Sequence, residues 1–142
     1  MTLKIAIAGA GGRMGRTLIE TVTQADDCEL HAVLEHAGSK LLGCSAAALV
    51  PGARDIAVTA DLRSALTGAD ALIDFTRPEV TLKNLAFAVA NNKRIVIGTT
   101  GFDDAGKAAI AALNETEMGG RKIIVNEAKP RTEKPRFNKR HE

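Results

Sequence analysis

The sequence has no tryptophan and no tyrosine, and only four of its 142 residues are phenylalanine. A core made from this sequence must therefore be aliphatic, which suits a parallel sheet covered by helices, whose strands are continuous aliphatic runs. No apolar run reaches the roughly 18 residues that a membrane span needs. The N-terminus runs directly into a strand pattern, which is not typical of a signal peptide. We therefore expect a cytoplasmic protein with no membrane partner.

Cysteine and histidine are also scarce, and neither has a spacing that indicates chemistry. Cys28 and Cys44 lack metal-ligand spacing, so we expect reduced thiols. His31 lies within a strand pattern, His36 follows an acidic residue, and His141 is near the end of the sequence. These positions predict no metal site and no catalytic histidine.

The net charge of +2 is unevenly distributed along the sequence. Residues 116–142 contain eight Lys or Arg against four Asp or Glu, so residues 1–115 carry a net charge of –2. Six of the last fourteen residues are cationic, and almost none is apolar. This composition predicts a domain over residues 1–128 and a basic, disordered tail over residues 129–142.

The most informative stretch is a glycine cluster, residues 9–15, between an apolar run and a helical pattern. Gly9 allows a sharp turn after the strand at residues 3–8. Gly11 and Gly12 leave no side chain between the backbone and a pyrophosphate. Gly15 allows the helix at residues 13–25 to pack closely against the strand. The spacing predicts a phosphate-binding turn at the N-terminus of a helix.

Charged residues near this turn support that interpretation. Arg13 and Arg16 lie in the first helical turn, where they oppose the helix dipole unless an anion is bound. Glu35 ends the second aliphatic strand, residues 29–34, where a carboxylate can accept hydrogen bonds from an adenosine ribose. Two alternatives remain open, namely a glycine-rich turn without a ligand and a solvated strand end.

The remaining pattern alternates strands and helices. This alternation predicts an α/β fold: a Rossmann-like, doubly wound, mostly parallel sheet with helices on both faces. The predicted later elements are a helical turn at 46–49, a strand at 56–59, a helix from Asp61 to Leu66, a strand at 71–75, a helix opened by Thr76 and Pro78, a strand at 94–97, a helix capped by Asp103 or Asp104, and a strand at 122–125.

Two further strand ends carry polar residues and glycine. Residues 74–78 and 98–101 both follow strands and so reach the carboxyl edge of the sheet, where open α/β sheets bind ligands. Backbone groups there are placed to shape a nicotinamide pocket. Ordinary turn and capping chemistry is the alternative.

Residues 1–113 resemble the N-terminal, cofactor-binding half of dihydrodipicolinate reductase, an NADH- or NADPH-dependent enzyme of the diaminopimelate route to lysine. The resemblance lies in residues 6–15, 34–35, 38–39, 42–43, 73–79 and 96–102. It implies that the glycine turn holds the pyrophosphate and that Glu35 holds the adenosine ribose. The candidate cofactor-binding residues are Gly9, Gly11, Gly12, Arg13, Met14, Gly15, Glu35, Phe75, Arg77, Gly98, Thr99 and Thr100.

Two departures from the family pattern bear on function. Members that accept NADPH often carry arginine after this glutamate, whereas His36 stands here; neutral imidazole is a poorer partner for a 2′-phosphate, so we expect a preference for NADH. The family's second domain supplies the catalytic and substrate-binding residues and forms its tetramer, and its motifs are absent here. We therefore expect cofactor binding without turnover, and self-association across an open cofactor cleft.

Residues 109–131 resemble the end of an RNA recognition motif, in which a helix leads into the last strand and a basic extension. This resemblance implies a chimera in which residues 116–128 are a grafted last strand and residues 122–125 complete the sheet. The aromatic strands that stack bases in that family are absent. We therefore expect at most weak, non-specific contact with nucleic acid. A natural truncation with an unrelated solubilising tail and a purely structural chimera are the alternatives.

Overall fold

The computed structural model describes residues 2–113, 117–118, 121–122 and 126–127. Parallel strands form its main sheet, in the order β2-β1-β3-β4-β7, and β5 and β6 form a separate antiparallel pair. The strands are β1 (Leu3–Ala8), β2 (Cys28–Leu34), β3 (Ala71–Asp74), β4 (Arg94–Ile97), β5 (Glu117–Met118), β6 (Arg121–Lys122) and β7 (Asn126–Glu127).

Helices connect the strands of the main sheet. They are α1 (Arg13–Gln24), α2 (Ala46–Leu49), α3 (Leu62–Leu66), α4 (Pro78–Ala90) and α5 (Asp104–Leu113). Two parallel strands cannot be joined by a tight turn, so the connection between them must cross over the sheet, and here the helices form these connections. The predicted α/β fold with a parallel, doubly wound sheet is confirmed.

The core has one layer on each side of the sheet because successive strand residues point to opposite faces. Ala6 and Ala8 of β1 contribute to a cluster that includes residues of α3, α4 and α5. Ile5 and Ile7 contribute to a second cluster, which includes residues of α1 and of the segment 46–58. Phe102 is the one aromatic among the buried apolar residues that the structure describes, as the composition predicts.

Side-chain caps set the beginnings of several helices. Asp61 accepts hydrogen bonds from the N–H groups of Arg63 and Ser64 at the start of α3, at 3.1 and 3.4 Å. Asp103 accepts one from Gly106 N–H at 2.8 Å, which selects Asp103 over its neighbour as the cap of α5.

The prediction that Thr76 caps α4 is wrong. The residue before the helix is Arg77, which makes no side-chain capping bond, and Pro78 occupies the first turn. The Thr76 hydroxyl instead donates to Asp74 Oδ1 at 2.6 Å. A buried carboxylate thus competes successfully with the helix N-terminus for this hydroxyl.

The strand predicted at residues 56–59 is also wrong. Ala57 forms an antiparallel bridge to Ser45, and Thr59 forms a parallel bridge to Leu34. Ala57 and Thr59 are only two residues apart, yet they pair with different partners in opposite senses, so no continuous ladder forms.

The predicted last strand at residues 122–125 lies largely outside the described residues. Lys122 belongs to β6, which pairs with β5, and the strand beside β4 is β7. Residues 129–142, the predicted basic tail, lie wholly outside the described residues.

Both cysteines are free, as the prediction of reduced thiols requires. Desolvation raises the pKa of the Cys28 thiol, and the charge of the neighbouring Asp27 raises it further. The Cys28 thiol is therefore neutral near pH 7 and a poor nucleophile.

Gly15 is buried where α1 meets the turn after β1. A β-carbon built on Gly15 would overlap the Gly9 carbonyl and lie 2.8 Å from Ala10 Cα. Both obstacles are backbone, so neither can rotate away. The close approach of α1 to the turn therefore depends on the missing side chain at residue 15.

We expect Gly15→Ala to lower the free energy of unfolding by about 1–3 kcal/mol, because the added methyl overpacks a rigid contact. Urea unfolding followed by circular dichroism measures this change. Gly12→Ala is the matched control, since its β-carbon would lie 3.5 Å from the Gly9 carbonyl oxygen, an ordinary van der Waals contact. Equal stability of the two variants would contradict the assignment of Gly15 to close packing.

Candidate functional site

The candidate cofactor-binding residues all lie at or just beyond the carboxyl ends of the parallel strands. Glu35 follows β2, the glycine turn follows β1, Phe75 and Arg77 follow β3, and residues 98–100 follow β4. Because the strand order is β2-β1-β3-β4, these groups follow one another across a single edge of the sheet. Three strand spacings place its ends about 14 Å apart.

The glycine turn is held to β2 by its backbone. The N–H groups of Gly9 and Ala10 both donate to the Leu34 carbonyl, at 3.1 and 3.2 Å. Gly9 has φ = +90°, a conformation that L side chains rarely adopt, and its missing β-carbon would overlap the Phe75 carbonyl. The sharp turn predicted at Gly9 therefore has both a conformational and a steric cause.

The N-terminus of α1 has no side-chain cap. Gly12 occupies the capping position and makes no side-chain bond, and the first turn contains no acidic residue. The N–H groups of Arg13, Met14 and Gly15 precede the first helical hydrogen bond, from Arg16 N–H to the Gly12 carbonyl. Arg13 is exposed on this turn, and Met14 is 44% exposed. Helix dipole, N–H groups and arginine all favour an anion here.

Glu35 contacts the glycine turn directly. Its Oε2 accepts a hydrogen bond from Gly11 N–H at 2.6 Å, and its Oε1 accepts one from His36 N–H at 3.3 Å. The side chain is only 11% exposed. A β-carbon at Gly11 would lie 2.6 Å from Leu41 Cδ1 and 3.1 Å from Glu35 Oε2. A side chain at residue 11 would require Leu41 and Glu35 to shift, so Gly11 lets the carboxylate lie close to the turn, a contact that the spacing of the glycines did not reveal.

His36 is exposed beside this carboxylate, with its Nε2 atom 3.9 Å from Glu35 Oε1. Its Nδ1 accepts a hydrogen bond from Gly38 N–H at 3.2 Å.

Phe75 connects the ends of β1, β3 and β4. Its N–H donates to the Ala8 carbonyl at 3.3 Å, and its ring contacts Gly98 so closely that a side chain there would overlap it. Gly98 N–H donates to the Asp74 carbonyl at 2.7 Å. Arg77 and Thr100 are exposed beyond these contacts, on neighbouring loops.

A buried polar cluster lies beneath these two loops, and the sequence analysis missed its organisation. Asp74 has no exposed surface; its Oδ1 accepts from the hydroxyls of Thr76, Thr81 and Thr99, and its Oδ2 accepts from Asn84 at 2.8 Å. Thr99, predicted to line the cofactor site, is only 3% exposed. The signal was present in part: Asp74 ends an aliphatic strand, and Thr81 and Asn84 occupy one side of α4.

Two further kinds of site were sought among the described residues, a metal centre and a membrane-spanning helix. No group of three His, Cys, Asp or Glu among these residues could hold a metal ion. None of their helices is long and apolar enough to cross a membrane.

Comparison with known proteins agrees with this geometry. Residues 3–125 match the family described as dihydrodipicolinate reductase, N-terminus. This match continues into the segment 109–131 that resembles an RNA recognition motif. The 4-hydroxy-tetrahydrodipicolinate reductase of Neisseria gonorrhoeae strain NCCP11945 is 55% identical over 113 residues, which are 80% of this chain and 42% of that protein.

Solved structures show the same fold. A dipicolinate-bound dihydrodipicolinate reductase from Paenisporosarcina sp. TG-14 superposes with a TM-score of 0.62 at 29% identity, over 80% of this chain and 44% of that one. GenD2 from gentamicin A biosynthesis, solved with NAD, has a TM-score of 0.64 at 20% identity, over 89% of this chain and 34% of that one. The second likeness is one of fold alone.

The chain spans less than half the length of the curated relative. The chain therefore belongs to the dihydrodipicolinate reductase family and corresponds to its N-terminal, NAD(P)-binding domain.

Proposed function

We propose that this chain binds a nicotinamide dinucleotide along the carboxyl edge of its sheet, in the manner of the reductase family, and that it does not itself complete the reduction. The observation that carries the proposal is the uncapped N-terminus of α1, which lies between Glu35 and the loops after β3 and β4. The pyrophosphate would accept hydrogen bonds from the first-turn N–H groups. The ribose of adenosine would lie at Glu35.

The residues present fit such a ligand. Gly12 leaves space before the helix, because no neighbour lies closer to its missing β-carbon than 3.5 Å. Glu35 can accept hydrogen bonds from ribose hydroxyls with lone pairs that Gly11 and His36 do not use. Phe75, Arg77, Gly98, Thr99 and Thr100 border the nicotinamide end, and there Thr99 contributes through its backbone and its internal hydrogen bonds.

When bound, the nicotinamide ring supplies a hydride. This chain's residues would bind and orient the cofactor. Among the described residues we identify no nucleophilic side chain paired with a base, and we propose no catalytic residue. The substrate class of the family, a dihydrodipicolinate-type dicarboxylate, would need groups that lie outside the matched segment.

Glu35 and His36 favour NADH over NADPH. A carboxylate beside the adenosine ribose repels a 2′-phosphate, and residue 36 is a histidine where an arginine would offer a guanidinium to that phosphate. We therefore propose NADH as the preferred cofactor.

The other proposed partners rest on the sequence. Weak, non-specific contact with nucleic acid through residues 129–142 stays a prediction, as do self-association, a cytoplasmic location and a chimeric origin. None of the described contacts bears on them.

We expect Gly12→Val to abolish NADH binding while the chain still folds. The valine side chain would enter the space before α1, where the pyrophosphate must lie, and meets little of the protein itself. Isothermal titration calorimetry measures the binding, and NADH should raise the melting temperature of the unmodified chain but not of the variant. Retained binding in a folded Gly12→Val chain would place the pyrophosphate elsewhere.

We expect His36→Arg to shift preference toward NADPH by about tenfold, since a charge-assisted contact to a 2′-phosphate contributes about 1.4 kcal/mol. The measurement is the ratio of the two dissociation constants, with His36→Gln as the uncharged control. An unchanged ratio in His36→Arg would show that residue 36 does not face the 2′ position.

We expect no turnover of a dihydrodipicolinate-type substrate by the purified chain at any NADH concentration. Loss of NADH absorbance at 340 nm, a general property of the reduced nicotinamide, follows the reaction. A full-length reductase of the family is the positive control. Measurable turnover that co-purifies with the chain would overturn the separation of binding from catalysis.

A further inference from the structure

The two loops at the nicotinamide end of the proposed site are joined by one hydroxyl group. Thr99 Oγ1, at the end of β4, accepts a hydrogen bond from Thr76 N–H, in the loop after β3, at 2.9 Å. The loops belong to neighbouring strands and are 23 residues apart in sequence. The other close contacts between these segments are the Phe75 ring on Gly98, the bond from Gly98 N–H to the Asp74 carbonyl, and the contact of Thr99 Oγ1 with Asp74.

The Thr99 hydroxyl lies within hydrogen-bond distance of Thr81 Oγ1 and Asp74 Oδ1, and Thr81 also reaches Asp74 Oδ1, at 3.1 Å. Thr81 Oγ1 lies 2.8 Å from Thr99 Oγ1, and Thr99 Oγ1 lies 3.2 Å from Asp74 Oδ1. Each hydroxyl has one proton to donate. These contacts allow more than one arrangement of the hydroxyl protons, and in each of them Thr99 Oγ1 can accept the Thr76 N–H. In one of them, Thr81 donates to Thr99 and Thr99 donates to Asp74, and every proton has a partner.

Asp74 is the acceptor at the end of this chain of hydrogen bonds. Its carboxylate is fully buried and receives the Thr76 hydroxyl at 2.6 Å and Asn84 Nδ2 at 2.8 Å in addition to Thr99. No ion pair to it is found among the described residues. A buried carboxylate without a cation is costly unless hydrogen bonds satisfy it. The hydroxyls of this cluster also contact one another, so each buried polar group is satisfied within the cluster, and a fully satisfied buried network is rigid.

We propose that the Thr99 hydroxyl, held by Thr81 and Asp74, is a positioning group that sets residues 75–77 and 98–101 in the relative arrangement that receives the nicotinamide ring. This inference rests on the proposed function. Thr99 acts from within the protein and not by touching the ligand with its hydroxyl, because that hydroxyl is buried and its hydrogen-bonding capacity is used internally.

The test compares NADH with ADP-ribose, which has the same pyrophosphate and adenosine but no nicotinamide. Thr99→Val keeps the side-chain shape and removes the hydroxyl. We expect it to weaken NADH binding about tenfold, equivalent to about 1.4 kcal/mol, and to leave ADP-ribose binding unchanged. Thr99→Ser keeps the hydroxyl and should bind NADH as the unmodified chain does.

Thr81→Val is the matched control for stability. Thr81 is also buried and belongs to the same cluster; its hydroxyl contacts the Thr76 hydroxyl at 3.1 Å but, unlike that of Thr99, accepts no bond from the Thr76 backbone. We expect Thr81→Val to lower the melting temperature about as much as Thr99→Val while NADH binding falls less. An equal loss of NADH and ADP-ribose affinity in Thr99→Val would show a general loss of structure and overturn the proposal, as would full NADH affinity in that variant.

Hydrogen exchange of the unmodified chain tests the same inference if Thr99→Val does not fold. The Thr76 amide should exchange slowly, and NADH should slow exchange of residues 75–77 and 98–101 more than ADP-ribose does. Equal protection by both ligands would contradict the proposal. Failure of the unmodified chain to bind either ligand would instead contradict the proposed function, so the two failures are distinguishable.

Discussion

The structure depends on the direct contact between the backbone of the Gly9 turn and the helix residue Gly15. With no side chain between them, α1 begins close above the end of β1. The Leu34 carbonyl accepts two N–H groups from the same turn, so β2 is joined to this contact as well. The helix N-terminus is thereby directed at the edge of the sheet where the neighbouring strands also end. The free N–H groups and the positive end of the helix dipole are therefore held in place before any ligand binds.

The two ends of the proposed site are made rigid in different ways. At the pyrophosphate end, rigidity comes from the absence of side chains at Gly9 and Gly15, which lets backbone pack on backbone. At the nicotinamide end it comes from hydrogen bonds around the buried carboxylate of Asp74. Packing tolerates little change of size, whereas a polar cluster tolerates little change of chemistry. Substitutions of size and of polarity should therefore separate the two ends experimentally.

The fold was largely predictable because its aliphatic strands and alternating helices follow simple periodicities. The positions of β1, α1, α2 and α3 were predicted to within a residue or two, and Asp61 was identified as a cap. The strand predicted at residues 56–59 is absent, because Ala57 and Thr59 form single bridges to different partners, which the aliphatic pattern does not reveal. The glycine turn and Glu35 could be predicted as a candidate site, because their spacing has a local physical meaning. The bond between Glu35 and Gly11 could not, because it depends on how two strands align.

The cluster around Asp74 shows how buried hydroxyls can link the loops of a proposed site from within the protein. In the sequence, the threonines at residues 76, 81 and 99 could each be a helix cap, a turn residue or a solvent-exposed side chain, because a threonine hydroxyl suits all three. Only the fold shows that these hydroxyls converge on one buried oxygen, which takes Thr76 away from the capping position of α4. The helix then begins at Pro78, whose missing N–H needs no cap. The sequence thus accommodates the loss of a side-chain cap on α4, while the Thr76 hydroxyl satisfies the buried carboxylate of Asp74.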